Sequence, residues 1–297
     1  MNPRCFPVKR LILAVICALV AADRAVAEST VDPAAAFTWG GNAGEFNWRP
    51  SLAEGVLTGE YVCSGMVWAA NAGWISLGSG APADGIRYAN TDGADSGVNL
   101  LADGSLRGLA WGANIGWVNF EATGNPRIDF TTGILSGYAW AANLGWVTLD
   151  DGGSHFVATT SIPAGADSDA DGITDAWELE GAVDLNTFTI DGDADHDGIP
   201  DLAEYAADTD PLDPADSLRL TSFAVNAETT IVNLTWTSRL TRRYHIEAKT
   251  DLTNALWDES AFGEIAPDND VTTTRALAEA AAPQRYYRIR ATRPLAP

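Results

Sequence analysis

The sequence predicts a mainly β protein in three consecutive parts: a repeat-built β-meander, a short connector of acidic loops and helices, and a C-terminal β-sandwich. Three observations predict it. A tryptophan-flanked unit recurs through the first half, two twelve-residue Asp-rich loops follow, and residues 217–297 alternate apolar and polar with period two.

Residues 1–27 stand apart from these parts. Arg4, Lys9 and Arg10 precede an apolar run over residues 11–22, and Ala25-Val26-Ala27 supplies small residues for cleavage before Glu28. This is the layout of a secretory signal peptide. The run is shorter than the about 20 residues a membrane span needs, and Asp23-Arg24 closes it. The mature chain is therefore expected to be secreted or held at the cell surface, with no membrane span. Cleavage leaves Cys63 as the one cysteine, so no intrachain disulfide is available, and a small buried thiol is expected.

The first part, residues 28–162, repeats one unit. Trp68-Ala-Ala-Asn71-Ala-Gly73-Trp74, Trp111-Gly-Ala-Asn114-Ile-Gly116-Trp117 and Trp140-Ala-Ala-Asn143-Leu-Gly145-Trp146 are its full copies, and a degenerate copy starts at Trp39 with Asn42 and Gly44 in register. Asn and Gly between two short strands predict a hairpin whose turn needs φ > 0, with the flanking tryptophans as a cross-strand pair. Repeated hairpins bury their core between neighbours. The pattern leaves a sandwich, a barrel and a propeller-like ring open, and the 29-residue interval from Trp39 to Trp68 and from Trp111 to Trp140, short for a four-stranded blade, counts against the last. Eight of the 11 tryptophans lie here. Their recurrence predicts that the pairs form the hairpin core, leaving Trp48, outside the frame, as the candidate exposed ligand-binding residue.

The second part, residues 163–216, carries the chemistry. Residues 167–216 hold 17 Asp or Glu and no Lys or Arg. Asp167, Asp169, Asp171, Ile173, Asp175 and Glu178 fall at positions 1, 3, 5, 7, 9 and 12 of the first loop; Asp193, Asp195, Asp197, Ile199, Asp201 and Glu204 repeat them in the second. Ca²⁺ takes about six to eight oxygens. Alternate Asp side chains can curl around it, Gly172 and Gly198 at position 6 permit the sharp turn, and the carbonyl at 7 can ligate. Position 9 can reach the ion through water, and Glu at 12 can give two oxygens. About two Ca²⁺ ions are expected. Asp175-x-x-Glu178 and Asp201-x-x-Glu204 also fit capping boxes on the helices that follow. The pair resembles bacterial thrombospondin type 3 repeats, relatives of the EF-hand loop. The apolar residue stands at position 7, where an EF-hand has it at 8. The resemblance covers residues 167–214 and implies a structural brace between larger modules.

The third part, residues 217–297, places Val232, Leu234 and Trp236 on one face, and likewise Tyr244, Ile246 and Ala248, then Tyr287, Ile289 and Ala291. About six strands in this length predict a β-sandwich. Tyr244-His-Ile-Glu-Ala-Lys with Arg285-Tyr-Tyr-Arg-Ile289 resembles a fibronectin-III-like C-terminal domain, and the tryptophan unit is similar to the GYAW/NIGWI repeats of secreted bacterial proteins.

A net charge of −22 and a pI near 4.2 argue against nucleic-acid partners. The chain has three histidines and no H-E-x-x-H, G-x-S-x-G or P-loop signature, so it is not expected to be an enzyme. The expected function is a calcium-binding, non-catalytic structural or adhesive role, with a cell-surface or matrix polysaccharide or protein as partner. The alternative is carbohydrate binding by the tryptophan-rich part.

Overall fold

The computed structural model describes residues 28–226, 231–260, 262–278 and 284–297. The signal-peptide expectation over residues 1–27 lies outside them. The chain is mainly β, and among the described residues no helix is long and apolar enough to cross a membrane.

Eight antiparallel strands form a barrel: β1 (Val31–Gly40), β2 (Gly44–Asn47), β3 (Met66–Ala69), β4 (Gly73–Ser76), β5 (Leu106–Gly112), β6 (Gly116–Phe120), β7 (Tyr138–Ala141) and β8 (Gly145–Thr148). Each pairs with its successor, and β8 returns to β1 through Trp39↔Thr148 and Gly40↔Val147. Residues Val157–Thr159 add to the early part of β1.

The tryptophan unit explains each hairpin residue by residue. The chain reverses at residues 40–44, 69–73, 112–116 and 141–145, and the glycine closing each turn has φ between 77° and 80°. That left-handed backbone belongs to glycine, and it matches a three-residue hairpin loop ending in a bulge. The motif asparagines are absent from the positive-φ residues, which corrects the expectation that they share this role. Their side chains instead donate to a neighbouring hairpin. Asn71 reaches the Ala43 carbonyl (3.0 Å), Asn114 that of Ala72 (3.3 Å), Asn143 that of Ile115 (3.0 Å) and Asn42 that of Leu144 (2.9 Å). Each turn holds the next, and the fourth bond closes the ring.

The residue after each asparagine, Ala43, Ala72, Ile115 or Leu144, is buried and plugs the barrel end. Along the strands, Phe46, Val67, Ile75, Ala110, Val118, Ala139, Val147 and Leu149 point inward, with a space of about 30 Å³ among them. Period two then forces the flanking tryptophans outward. Trp68 faces Trp74 across its hairpin, Trp111 faces Trp117 and Trp140 faces Trp146, and these six indoles are 37–45% exposed. They are an outer belt, not the hairpin core that their recurrence suggested. Trp48 is the converse: only 4% exposed, it donates its indole N–H to Thr38 Oγ1 at 2.9 Å inside the barrel. Its expected role as the exposed ligand-binding residue is therefore corrected.

Among the described residues the third part supplies six strands. β9 (Leu220–Asn226), β10 (Ile231–Thr237) and β13 (Thr272–Ala278) form one sheet; β11 (Arg243–Lys249), β12 (Asp258–Glu259) and β14 (Tyr286–Thr292) form another. Val232, Leu234 and Trp236 from the first share a core with Tyr244 and Ile246 from the second.

Between barrel and sheets lie α1 (Asp175–Gly181) and α2 (Asp201–Ala207). Ile173, Trp177, Phe188 and Tyr205 of the connector make a small core with Tyr61 of the first part. Arg242, 1% exposed in its side chain, donates to the Tyr205 and Ala206 carbonyls at the end of α2 (2.8 and 3.0 Å). A helix leaves its last carbonyls short of intrahelical partners, and the Tyr205 carbonyl accepts here from the Asp208 amide as well, at 3.3 Å.

Removing one link of the asparagine ring by Asn143→Ala is expected to lower stability by about 1 kcal/mol, the net worth of one hydrogen bond. Ala142→Ser, at the exposed neighbouring turn position, should stay near neutral. Urea denaturation of both variants checks this, and equal midpoints would show that the ring does not hold the barrel.

Candidate metal centre

Each acidic loop is folded by its own carboxylates before any cation is considered. In the first, Asp167 accepts from the Asp171 and Gly172 amides (3.2 and 3.1 Å), and Asp171 accepts from the Ile173 amide (2.9 Å). In the second, Asp193 accepts from the Gly198 amide (3.1 Å), Asp195 from Asp197 (3.0 Å) and Asp197 from Ile199 (2.7 Å). The position-6 glycines take φ of 96° and 93°, as the sharp turn requires. Position 4 is also left-handed in both, at Ala170 (φ 62°) and His196 (φ 65°), although neither is glycine. Such a conformation is uncommon for Ala, and its occurrence in both loops shows that the curl is imposed by the loop as a whole.

This curl gathers ligand atoms. Oxygens of Asp167, Asp169 and Asp171 lie within 4.8 Å of one another, and those of Asp193, Asp195 and Asp197 do the same. The two triads could hold a metal ion each.

The position-12 glutamates add the more telling feature. Glu178 is fully buried, and among the described residues neither of its carboxylate oxygens has a hydrogen-bond partner. Glu204 is equally buried; its Oε1 accepts from Thr209 Oγ1 at 3.2 Å, and its Oε2 has no partner. Burial, with Asp169, Asp171, Asp175 and Asp167 nearby, pushes Glu178 up to about 7. Burial and Asp195, against the Thr209 bond and with Asp197 and Asp201 adding, push Glu204 up to about 8. Buried carboxylates normally find partners. Here one oxygen each of Asp171, Asp193 and Asp195 also lacks one. The donor set is all oxygen and charged, which fits a hard divalent cation.

Positions 7 and 9 fall into place differently. Ile173 drives its side chain into the connector core at 0% exposure, while Ile199 is half-buried. Asp175 accepts from the Ser168 amide and hydroxyl (2.7 and 2.6 Å), and Asp201 from the Ala194 and Thr189 amides (2.9 and 3.0 Å). Both clasp the loop backbone. The helices begin at Asp175 and Asp201 behind Thr174 and Pro200, and neither residue makes a side-chain cap bond. The expected capping boxes are therefore not formed, because the glutamates turn into the loop instead of back to the cap.

Cys63 is a free thiol buried in the barrel core, and burial pushes it up to about 12.

No family model, no curated protein and no solved structure matches the chain. The site therefore stands on its own geometry. Spacing alone indicated the loop residues. It did not indicate the exposed indoles, although the alternation Trp146-Val-Thr-Leu149 carries that signal, since Val147 and Leu149 are the buried pair.

Because the folded-state values of Glu178 and Glu204 lie above the ordinary 4.5, the metal-free fold is favoured while both are protonated. That contribution is complete below about pH 4.5 and is lost as pH rises through about 7 and 8. Thermal melts in chelator across pH 4–9 should show this decline. Glu178→Gln should flatten its lower limb; an unchanged profile would contradict the buried, unpartnered carboxylate.

Proposed function

We propose that this is an exported, calcium-braced, non-catalytic structural or adhesive protein, with one Ca²⁺ in each loop. The observation that carries it is the burial of Glu178 and Glu204 with unpartnered oxygens beside two Asp triads. A divalent cation satisfies those oxygens and cancels the mutual repulsion of the triads. Carboxylates with a backbone carbonyl at Ile173 and Ile199 suit Ca²⁺, which accepts irregular shells of oxygens at about 2.3–2.6 Å. Asp175 and Asp201, engaged with backbone, shape the loops. The connector then acts as a brace between the barrel and a β-sandwich, in line with its resemblance to thrombospondin type 3 repeats. Export by residues 1–27 accords with this chemistry, since extracellular modules bind Ca²⁺ at about 10⁻⁴–10⁻³ M.

Calorimetry with CaCl₂ should show two ions per chain, and tenfold excess over the dissociation constant should stabilise the fold by about 1.4 kcal/mol. Glu178→Gln should remove one ion and Glu204→Gln the other. Melting temperatures unmoved by millimolar CaCl₂ would refute the brace.

The second reading is carbohydrate binding by the barrel. Exposure of the six paired indoles favours it, and it now attaches to those residues in place of Trp48.

A further inference from the structure

The outer belt is organised more finely than a hydrophobic patch. Trp68–Trp74, Trp111–Trp117 and Trp140–Trp146 have ring centroids 4.9, 4.6 and 5.0 Å apart and interplanar angles of 57°, 62° and 61°. The three pairs share one geometry. Each also has the same kind of neighbour. The residue two places after one hairpin's second flanking position sits opposite the first tryptophan of the next: Asn47↔Trp68, Ser76↔Trp111, Asn119↔Trp140. Every pair thus stands beside a short, neutral, hydrogen-bonding side chain. The turns beyond contain only Gly, Ala, Asn, Ile and Leu, and beside the third pair Asn119 donates to the Glu121 carboxylate at 3.4 Å.

This chemistry selects among occupants. An indole face with an adjacent amide or hydroxyl matches a pyranose, which offers axial C–H bonds on its face and hydroxyls at its rim. A chain of net charge −22 with no basic residue in these turns, and with Glu121 beside the third pair, selects against polyanions. A bilayer fits less well, because the outermost turn positions, Gly41, Ala70, Ala113 and Ala142, are exposed backbone with little apolar area to insert.

The fourth hairpin departs from the other three. Glu45 stands opposite Trp39, and the His155 ring fills the vacant aromatic place, 5.2 Å from the Trp39 ring. His155 lies 3.7 Å from Glu45 and 2.9 Å from Asp151. That quarter of the barrel is charged.

We propose that the three tryptophan pairs are three similar sites for a neutral polysaccharide of equatorially substituted pyranoses, the third extended by the Tyr138 ring 6.2 Å from Trp146, so that one molecule cross-links separate chains. This rests on the carbohydrate reading above and adds its ligand class and valency. The three hairpins occupy three quarters of a closed barrel and face different directions. A stiff polymer lying on one pair turns away from the others, and each pair serves its own chain. Linked sites raise avidity without new contacts.

The test is calorimetry of the full mature chain, in CaCl₂, with cellohexaose and chitohexaose. At least one should bind with a stoichiometry of three, and Trp68→Ala with Trp74→Ala should reduce it to two without changing the dissociation constant of the remainder. Far-UV circular dichroism checks that this variant folds, and the stoichiometry of the unaltered protein stands without it. A stoichiometry of one would keep the carbohydrate reading and overturn the three-site inference. No heat with either hexasaccharide would overturn both, and a blue-shifted emission on phosphatidylcholine vesicles would then assign the belt to a bilayer.

Discussion

The barrel depends on one constraint, the two-residue stagger between successive hairpins. Asn47↔Trp68, Ser76↔Trp111, Asn119↔Trp140 and Thr148↔Trp39 are the same offset taken four times. Four such steps bring a circuit of the sheet back to β1 eight residues further along. Eight strands with that shear make a barrel whose interior side chains fill it, and the buried Phe46, Ile75, Val118 and Val147 do so. The asparagine ring reads the same stagger from the turns. A slip of one residue would break all four amide–carbonyl bonds and send every indole inward. Register, core and outer belt are therefore one decision.

A different constraint governs the connector. Its loops are preformed by backbone amides donating to carboxylates, and that ordering concentrates the charge that opposes it. Nothing in the connector itself offsets the triads, since no Lys or Arg lies between residues 167 and 216. Neighbours compensate in part: Arg87 pairs with Glu180 at 2.7 Å, and Arg242 lies 3.4 Å from Asp208. Neither bonds to the buried oxygens of Glu178 or Glu204. The repulsion is thus strongest at the two points where a cation would remove it, so any metal affinity would have the same origin as metal-free instability.

These two constraints mark what was legible in the sequence. The hairpins, the cross-strand facing of the tryptophans and the two Asp triads are local features, set by spacings within twelve residues, and all could be read. The direction of the indoles is equally local: the alternation that buries Val147 and Leu149 turns Trp146 outward and overrides the hydrophobicity of its indole. Barrel closure was not legible, since it turns on Trp39 meeting Thr148 across the length of the repeat. The asparagine partners lie 28, 42, 28 and 102 residues away, which no turn propensity could indicate. Trp48 shows the same limit: Thr38 lies only ten residues away, but the indole is buried because Val67, Ile75 and Val118 of later strands line the interior beside it.

The depth of Glu178 has a similarly distant cause, and it ties the loops to the rest of the molecule. Ile173 and Trp177 flank Glu178 and pack with Tyr205, Phe188 and Tyr61, the last contributed by the first part of the chain. On the other side, Arg242 from the third part closes the end of α2 and lies 3.4 Å from Glu60, whose carboxyl burial pushes up despite Arg242 and Arg293. A buried guanidinium left without these acceptors would be costly, so the contact favours one arrangement of connector and neighbours. The glutamates that would complete the metal loops are seated on helices held from both sides. Any cation that fixes Glu178 and Glu204 therefore acts on the helix positions that Tyr61 and Arg242 grip, and its effect would extend beyond the loops to both neighbouring parts.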